Sequence, residues 1–278
     1  MLKQDGHSHT EFCPHGSGDD VELMIQKAIR LGFKSYSVTE HAPLPLAFRQ
    51  EYAGAETGYT EASMAMSDLP AYFKKIHQMQ AKYGAQIHIN VGFEVDFLPH
   101  HVQWTRDFLN EYGPQTTDNV LSVHFMQGTD NQFWCVDDTL EDFKRGLLTP
   151  AADGQALYRQ YFNAVTEAVT ADLGQCAPKR IGHITLIKKF QDYFGLPQAY
   201  DEQTQQSITT LLQAIKQQDR ELDYNAAGLY KEFCNETYPD LPILKQAQQM
   251  DIPLVYGSDA HSIKEVGHGY HTLMDLIN

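Results

Sequence analysis

The sequence predicts an α/β fold made of parallel βα units closed into a barrel. Three observations predict it. Short β-like runs alternate with longer amphipathic stretches along the 278 residues, the pattern of parallel strands joined by helical crossovers. No GxGxxG or GxxxxGK[ST] follows any of the runs, which argues against an open nucleotide-binding sheet. Residues suited to chemistry stand at the ends of many runs rather than at one crevice, as they do on the C-terminal face of a barrel.

The expected strands are 2–6, 34–38, 86–92, 119–123, 180–182, 221–224 and 253–256. Between them lie expected helices at 19–31, 68–83, 100–111, 154–173, 202–217 and 241–250, with a last one at 267–277. The first is amphipathic, begins with acids and stops at Gly32, a common helix C-terminus. The stretch 43–67 contains Gly and Pro, lacks periodicity and reads as a loop over the site. Its Phe48, Tyr52 and Tyr59 are able to stack on a ring, although aromatics in a loop more often pack it.

Composition narrows the classes. Hydrophobic residues make up 42% and charged residues 21% of the chain, ordinary values for a globular protein. The length suits one large domain over 1–278. No apolar run reaches the roughly 18 residues of a membrane span. The start, MLKQDGHSHT, has no apolar stretch behind a basic segment, so a cytoplasmic location without a secretory signal is expected. Cys13, Cys135, Cys176 and Cys234 form no CxxC pair and are expected as reduced thiols. A net charge of −15 disfavours long nucleic acid as a partner. It permits a small phosphorylated substrate, because local cations dominate a site.

The strand ends carry the chemistry. In order they read Asp5-Gly6-His7-Ser8-His9, Thr39-Glu40-His41, Gly92-Phe93-Glu94, Ser122-Val123-His124, Gly182-His183 and Gly257-Ser258-Asp259-Ala260-His261. His7 and His9 are two apart in an extended segment, so both point to one face. Asp259 and His261 repeat the spacing on the last strand, which neighbours the first in a closed barrel. Imidazole mixed with carboxylate suits divalent Zn, Mn or Fe. One HxH is weak; agreement at six strand ends is not. Glu40 and His41 are adjacent and cannot share a face, so His41 is the expected ligand and Glu40 a partner behind it. His15 sits in a Cys-Pro-His-Gly loop just after the HxH. His77, His88, His100, His101, His268 and His271 are expected to be structural or solvated.

These motifs, in this order and over residues 7–261, resemble those of the polymerase-and-histidinol-phosphatase (PHP) superfamily. The length and Asn225-Ala226-Ala227-Gly228-Leu229 are similar to its stand-alone histidinol-phosphate phosphatases. There the segment often continues with arginine, whereas Tyr230 and Lys231 follow here. The resemblance implies a distorted (β/α)7 TIM-like barrel and up to three divalent metal ions. One ion would take His7, His9, Glu94 and Asp259. A second would share Glu94 and take His124 and His183. A third would take His15, His41 and His261.

The resemblance further implies hydrolysis of L-histidinol phosphate. The expected nucleophile is a metal-bridged hydroxide, which dications generate near neutral pH. No cysteine carries a CxxxxxR motif. Asp259, His261 and Glu40 are unranked candidates for supplying the leaving-group proton. Arg159 is the first candidate to grip phosphate, with solvent exposure on its helix as the alternative; Lys188 and Lys189 are weaker candidates. Competing classes are a nucleotide phosphoesterase or exonuclease, a protein-tyrosine phosphatase of the same superfamily, and a non-catalytic binding module. The sequence leaves oligomeric state open.

Overall fold

The computed structural model describes residues 2–277. Its strands are β1 (Gln4–Asp5), β2 (Ser35–His41), β3 (His88–Asp96), β4 (Val120–Ser122), β5 (Phe125–Gln127), β6 (Phe133–Cys135), β7 (Arg180–Ile181), β8 (Glu221–Asn225) and β9 (Leu254–Gly257). Seven form one parallel sheet in the order β1-β2-β3-β4-β7-β8-β9. The ends of the sheet meet. Gly6 N donates to Tyr256 O at 2.8 Å, Asp259 N to His7 O at 2.8 Å and His9 N to Ala260 O at 2.9 Å. The expected distorted (β/α)7 TIM-like barrel is therefore what forms, and closure brings His7-Ser8-His9 beside Asp259-Ala260-His261.

Helices ring the sheet because each offers it one apolar stripe. Val21–Arg30 buries Val21, Met24, Ile25 and Ala28, and Leu69–Tyr83 buries Leu69, Tyr72, Phe73, Ile76, Met79 and Tyr83. Gly154–Thr170, Glu202–Gln217 and Leu241–Gln249 repeat the arrangement. Asp20, Asp153, Asp201 and Asp240 cap their helices by accepting a backbone N–H, each cap worth about 1 kcal/mol. The core between sheet and helices includes Tyr36, Val38, Ile89, Val91, Phe93, Leu121, Ile181, Leu222 and Tyr224.

Two features depart from expectation. β2 runs on to His41 and β3 to Asp96, three and four residues past the predicted stops. The added residues include Glu40, His41, Glu94 and Asp96, polar groups buried at the barrel mouth, where His41 Nδ1 meets Glu94 Oε2 at 3.3 Å; a strand traced by its apolar run stops short of them. The antiparallel pair β5–β6 was not expected. It packs the 43–67 loop, which contains Leu46–Gln50 and Thr57–Thr60 as short helices. Phe48 and Tyr52 are buried against Phe125 and Phe133. They hold the loop in place and are not free to stack on a ligand.

Candidate metal centre

β2 and β3 pair in register, with His41 opposite Glu94, and barrel closure sets His7 and His9 beside Asp259. All converge on the Glu94 carboxylate, which is 1% exposed. Glu94 Oε2 lies 3.2 Å from His7 Nε2, 3.5 Å from His9 Nε2 and 3.3 Å from His41 Nδ1. Its other oxygen, Oε1, lies 2.7 Å from His183 Nε2 and 3.5 Å from His124 Nε2. Asp259 Oδ1 is 3.1 Å from His9 Nε2 and 3.8 Å from His7 Nε2. At the rim, His15 Nε2 lies 3.1 Å from His261 Nε2. The structure thus brings together all nine expected ligand residues.

A second layer aims the rings. Asp223 Oδ2 holds His7 Nδ1 at 2.8 Å, Glu40 Oε1 holds His9 Nδ1 at 3.2 Å and Asp96 Oδ1 holds His124 Nδ1 at 2.9 Å. His15 Nδ1 meets Glu61 O at 2.7 Å and His261 Nδ1 meets Asp259 O at 3.0 Å. Each contact occupies Nδ1 and leaves Nε2 directed inward, the usual support of metal-bound imidazole. Small residues make room. A Cβ at Gly257 would stand 2.2 Å from Asp223 Oδ1 and 2.8 Å from the Cβ of His7. One at Gly182 would stand 2.1 Å from Ser122 Oγ, which donates to Glu94 Oε1 at 2.6 Å. Asp259 has φ 54°; such a non-glycine backbone persists where its surroundings hold it, and here Asn225 Nδ2 donates to its Oδ2 at 3.2 Å.

The electrostatics suit divalent cations. Burial opposes charge on Glu94, but His7 and His124 hold its carboxyl well below the ordinary range. Asp259 is likewise held low, with His7 and His9 outweighing its burial. Burial and the neighbouring His9 push His41 and His261 well below the usual imidazole range, leaving them neutral. Buried polar atoms without a hydrogen-bond partner include His7 Nε2, both ring nitrogens of His41 and Glu94 Oε2. Such orphans are costly in an apolar interior, and all four face the cluster. Donors of this chemistry, with unmet valence pointed at one place, fit divalent metal ions.

A cleft of about 420 Å³ opens over the cluster. Its floor includes His15, His41, Glu94, His124, His183, Asp259 and His261; its walls include Glu61, Asp137, Asp138, Lys189, Tyr230 and Lys231. A roomier groove of about 720 Å³ crosses the outer helices near Phe73 and His77 but has none of the clustered donors.

Three expected roles change. Glu40 is fully buried behind His9 and also accepts from Thr10 N at 2.8 Å, Thr10 Oγ1 at 2.5 Å and His41 N at 2.9 Å. It orients His9 and has no path to a leaving group. Arg159 faces outward and pairs with Asp201 at 3.0 Å, because the Asp201 helix cap lies beside it; it does not line the cleft. Lys188 is 2% exposed and is neutralised by Glu236 at 2.5 Å and Asp240 at 2.7 Å, so it stabilises the fold beside the site. Lys189, the next residue, does reach the cleft wall, donating to the Asp137 carbonyl and to its carboxylate at 3.2 Å. Among the histidines expected to be structural, His268 bonds Ser258 O at 2.6 Å and stacks on Tyr230 in the wall.

Sequence reasoning passed over Asp96, Asp223, Asp137 and Asp138. Two were detectable. Asp96 lies two residues past Glu94, the same-face spacing of the HxH. Asp223 is an acid between Leu222 and Tyr224 in the middle of a buried strand, a placement rarely tolerated without a partner.

The PHP domain family matches residues 5–227 and the PHP-associated family residues 243–277. A histidinol-phosphatase of Bacillus subtilis (strain 168) is 38% identical over 275 residues, covering 99% of each chain. A solved structure from Listeria monocytogenes, assigned to the histidinol phosphatases, superposes with TM-score 0.95 at 47% identity, covering 97% of this chain and 99% of that one. The histidinol phosphate phosphatase of Lactococcus lactis subsp. lactis Il1403, solved with zinc, L-histidinol and phosphate, shares the fold at TM-score 0.71 and 18% identity, covering 99% and 93%. With the site built from those strand ends and the family matched across most of the barrel, this chain belongs to the PHP domain family.

Proposed function

We propose that this chain is a divalent-metal-dependent phosphomonoesterase that hydrolyses L-histidinol phosphate to L-histidinol and inorganic phosphate. The observation that carries the reading is the convergence of strand-end donors on Glu94 beneath one cleft, in a chain similar end to end to a histidinol-phosphatase. The ligands bound by the Lactococcus lactis enzyme support the same substrate class here. In this reading three ions bind. His7, His9, Glu94 and Asp259 hold the first; Glu94, His124 and His183 the second; His15, His41 and His261 the third. Zinc is preferred, and manganese or iron(II) suits the same donors. Residues 1–278 act as one domain, because the strand that closes the barrel lies outside the span matched by the PHP domain family.

When bound, the ions supply an activated water and positive charge for the phosphoryl oxygens. The chain's own residues do the rest. Asp223, Glu40 and Asp96 keep three imidazoles aimed inward. Asp259, ionised and partly exposed, is placed to take the proton of the attacking water and return it to the departing alkoxide. His261 keeps its proton on Nδ1 toward Asp259 O, so its Nε2 serves as a donor atom to the cluster. The acidic wall at Asp138 and Glu61 suits the amino group of the substrate. Lys189 and Lys231 supply cations at the cleft for phosphate.

The acidic surface argues against long nucleic acid as a partner. No helix among the described residues is long and apolar enough to cross a membrane. The four unpaired cysteines support a reducing, cytoplasmic setting.

Elemental analysis of purified protein, followed by phosphate release from L-histidinol phosphate, a dinucleotide and a phosphotyrosyl peptide, tests the reading. Bound transition metal with preference for histidinol phosphate is expected. Absence of both metal and activation by zinc or manganese refutes it, and orders-of-magnitude preference for either other substrate reassigns it.

A further inference from the structure

The Cys-Pro-His-Gly turn after the HxH contains a second donor besides His15. Cys13 is 4% exposed, whereas His15 stands exposed at the rim. The turn folds inward: Cys13 N donates to Thr10 O at 3.1 Å and Gly16 N to Cys13 O at 3.1 Å. This puts Cys13 Sγ within 4.8 Å of one ring nitrogen each of His9, His41 and His261, four potential donors that are mutually that close. A tetrahedral zinc site with Zn–S of about 2.3 Å and Zn–N of about 2.0 Å has donors roughly 3.4–3.6 Å apart. Cys13, His41 and His261 of this group therefore close on one ion with side-chain shifts of about an ångström, while His9, held by Glu40 with its Nε2 against Asp259, serves the neighbouring ion. A second observation points the same way. His41 is 6% exposed and neither of its ring nitrogens has a hydrogen-bond partner, so a buried imidazole beside this sulfur lacks the bond its burial demands.

We propose that Cys13 is a thiolate ligand of the ion held by His41 and His261, on its buried side, with His15 on its solvent side. The inference rests on the metal-dependent reading above. On binding, the thiol proton leaves to solvent and a metal–sulfur bond replaces it. A soft donor at one position biases that position toward zinc over manganese, while the remaining positions, held by imidazoles and the two carboxylates of Glu94 and Asp259, lack a sulfur donor.

X-ray absorption at the zinc edge of the fully loaded protein tests this independently of activity. The wild type is expected to show a sulfur shell at about 2.3 Å beside the nitrogen and oxygen shell at about 2.0–2.1 Å. Cys13→Ser should lose the sulfur shell. Cys135→Ser should keep it; that variant controls for the other thiol in the cleft wall. A loaded, active wild type with only nitrogen and oxygen neighbours overturns the proposal and leaves the phosphatase reading standing. Persistence of the sulfur shell in Cys13→Ser also overturns it. A wild type that takes up no zinc overturns the metal reading itself. Absence of sulfur in the wild-type spectrum overturns the proposal by itself, and loss of the shell in Cys135→Ser overturns it as well, so the test survives a Cys13→Ser chain that fails to fold.

Discussion

Asp223→Asn separates charge from shape behind the cluster. Asp223 is 1% exposed, and its Oδ2 accepts from Asn225 Nδ2 at 2.9 Å and meets His7 Nδ1 at 2.8 Å. The amide is nearly isosteric and keeps its oxygen on that side, so the geometry survives and the charge is lost. Removing a partner that orients a metal-bound imidazole typically costs 10–100-fold in metal affinity or activity, or about 1.4–2.7 kcal/mol. An opposing effect follows from the proton on His7. In the metal-free chain burial opposes charge on this ring, but Glu94, Asp223 and Asp259 outweigh it and raise its pKa well above the ordinary value. Metal must displace that proton. Asparagine removes one of the three carboxylates, lowers the His7 pKa and weakens the competition. The loss of affinity should therefore be nearer tenfold around pH 7 and larger around pH 9, where protons compete less. Competition titration of zinc against a chromophoric chelator at both pH values measures it, with circular dichroism to verify the fold. Affinity within about twofold of wild type at both pH values, or a greater loss at the lower pH, refutes the reasoning.

Other outcomes follow from the same structure. In the metal-free chain burial opposes charge on His9 and His124, yet Asp259 and Glu40 raise the first to about 9 and Asp96 and Glu94 raise the second to about 10. Both rings therefore carry protons near pH 7, and metal uptake should release them. Titration calorimetry in buffers of different ionisation enthalpy should show that release, and an enthalpy independent of buffer would contradict it. Asp138 lines the cleft with Oδ2 buried and unpartnered. Asp138→Asn should raise KM for L-histidinol phosphate roughly tenfold, the scale of one charged hydrogen bond. Inhibition by inorganic phosphate should stay unchanged, and an unaltered KM removes Asp138 from substrate recognition. Arg159→Ala should leave kcat/KM within about twofold and cost at most about 1 kcal/mol in chemical denaturation, as exposed ion pairs do. A tenfold fall in kcat/KM would return Arg159 to the site.

The sequence alone determined the alternation of strand and helix and the strand ends that carry His7, His9, His41, Glu94, His124, His183, Asp259 and His261. These are local facts: hydropathy periodicity marks an element, and side-chain type marks where it ends. The HxH parity also placed His7 and His9 on one face without any knowledge of a partner. What lies behind those rings was decided only in three dimensions. Glu40 read equally well as a proton donor or a buried support until its carboxylate proved to sit against His9. Scarcity of arginine and a place before the fifth strand favour Arg159, and a place after the strand that carries His183 favours Lys188, but whether a cation reaches a cleft depends on which acid stands beside it after packing. Asp201 and Asp240, both helix caps, captured them, while Lys189, one residue along, turned into the cleft wall. Asp223 reaches His7 from 216 residues away. Hydrogen bonds and ion pairs act over a few ångströms in space, irrespective of sequence separation. Local sequence therefore named the candidate donors at the strand ends, and only the packing of the strands into a barrel selected the acids that aim them.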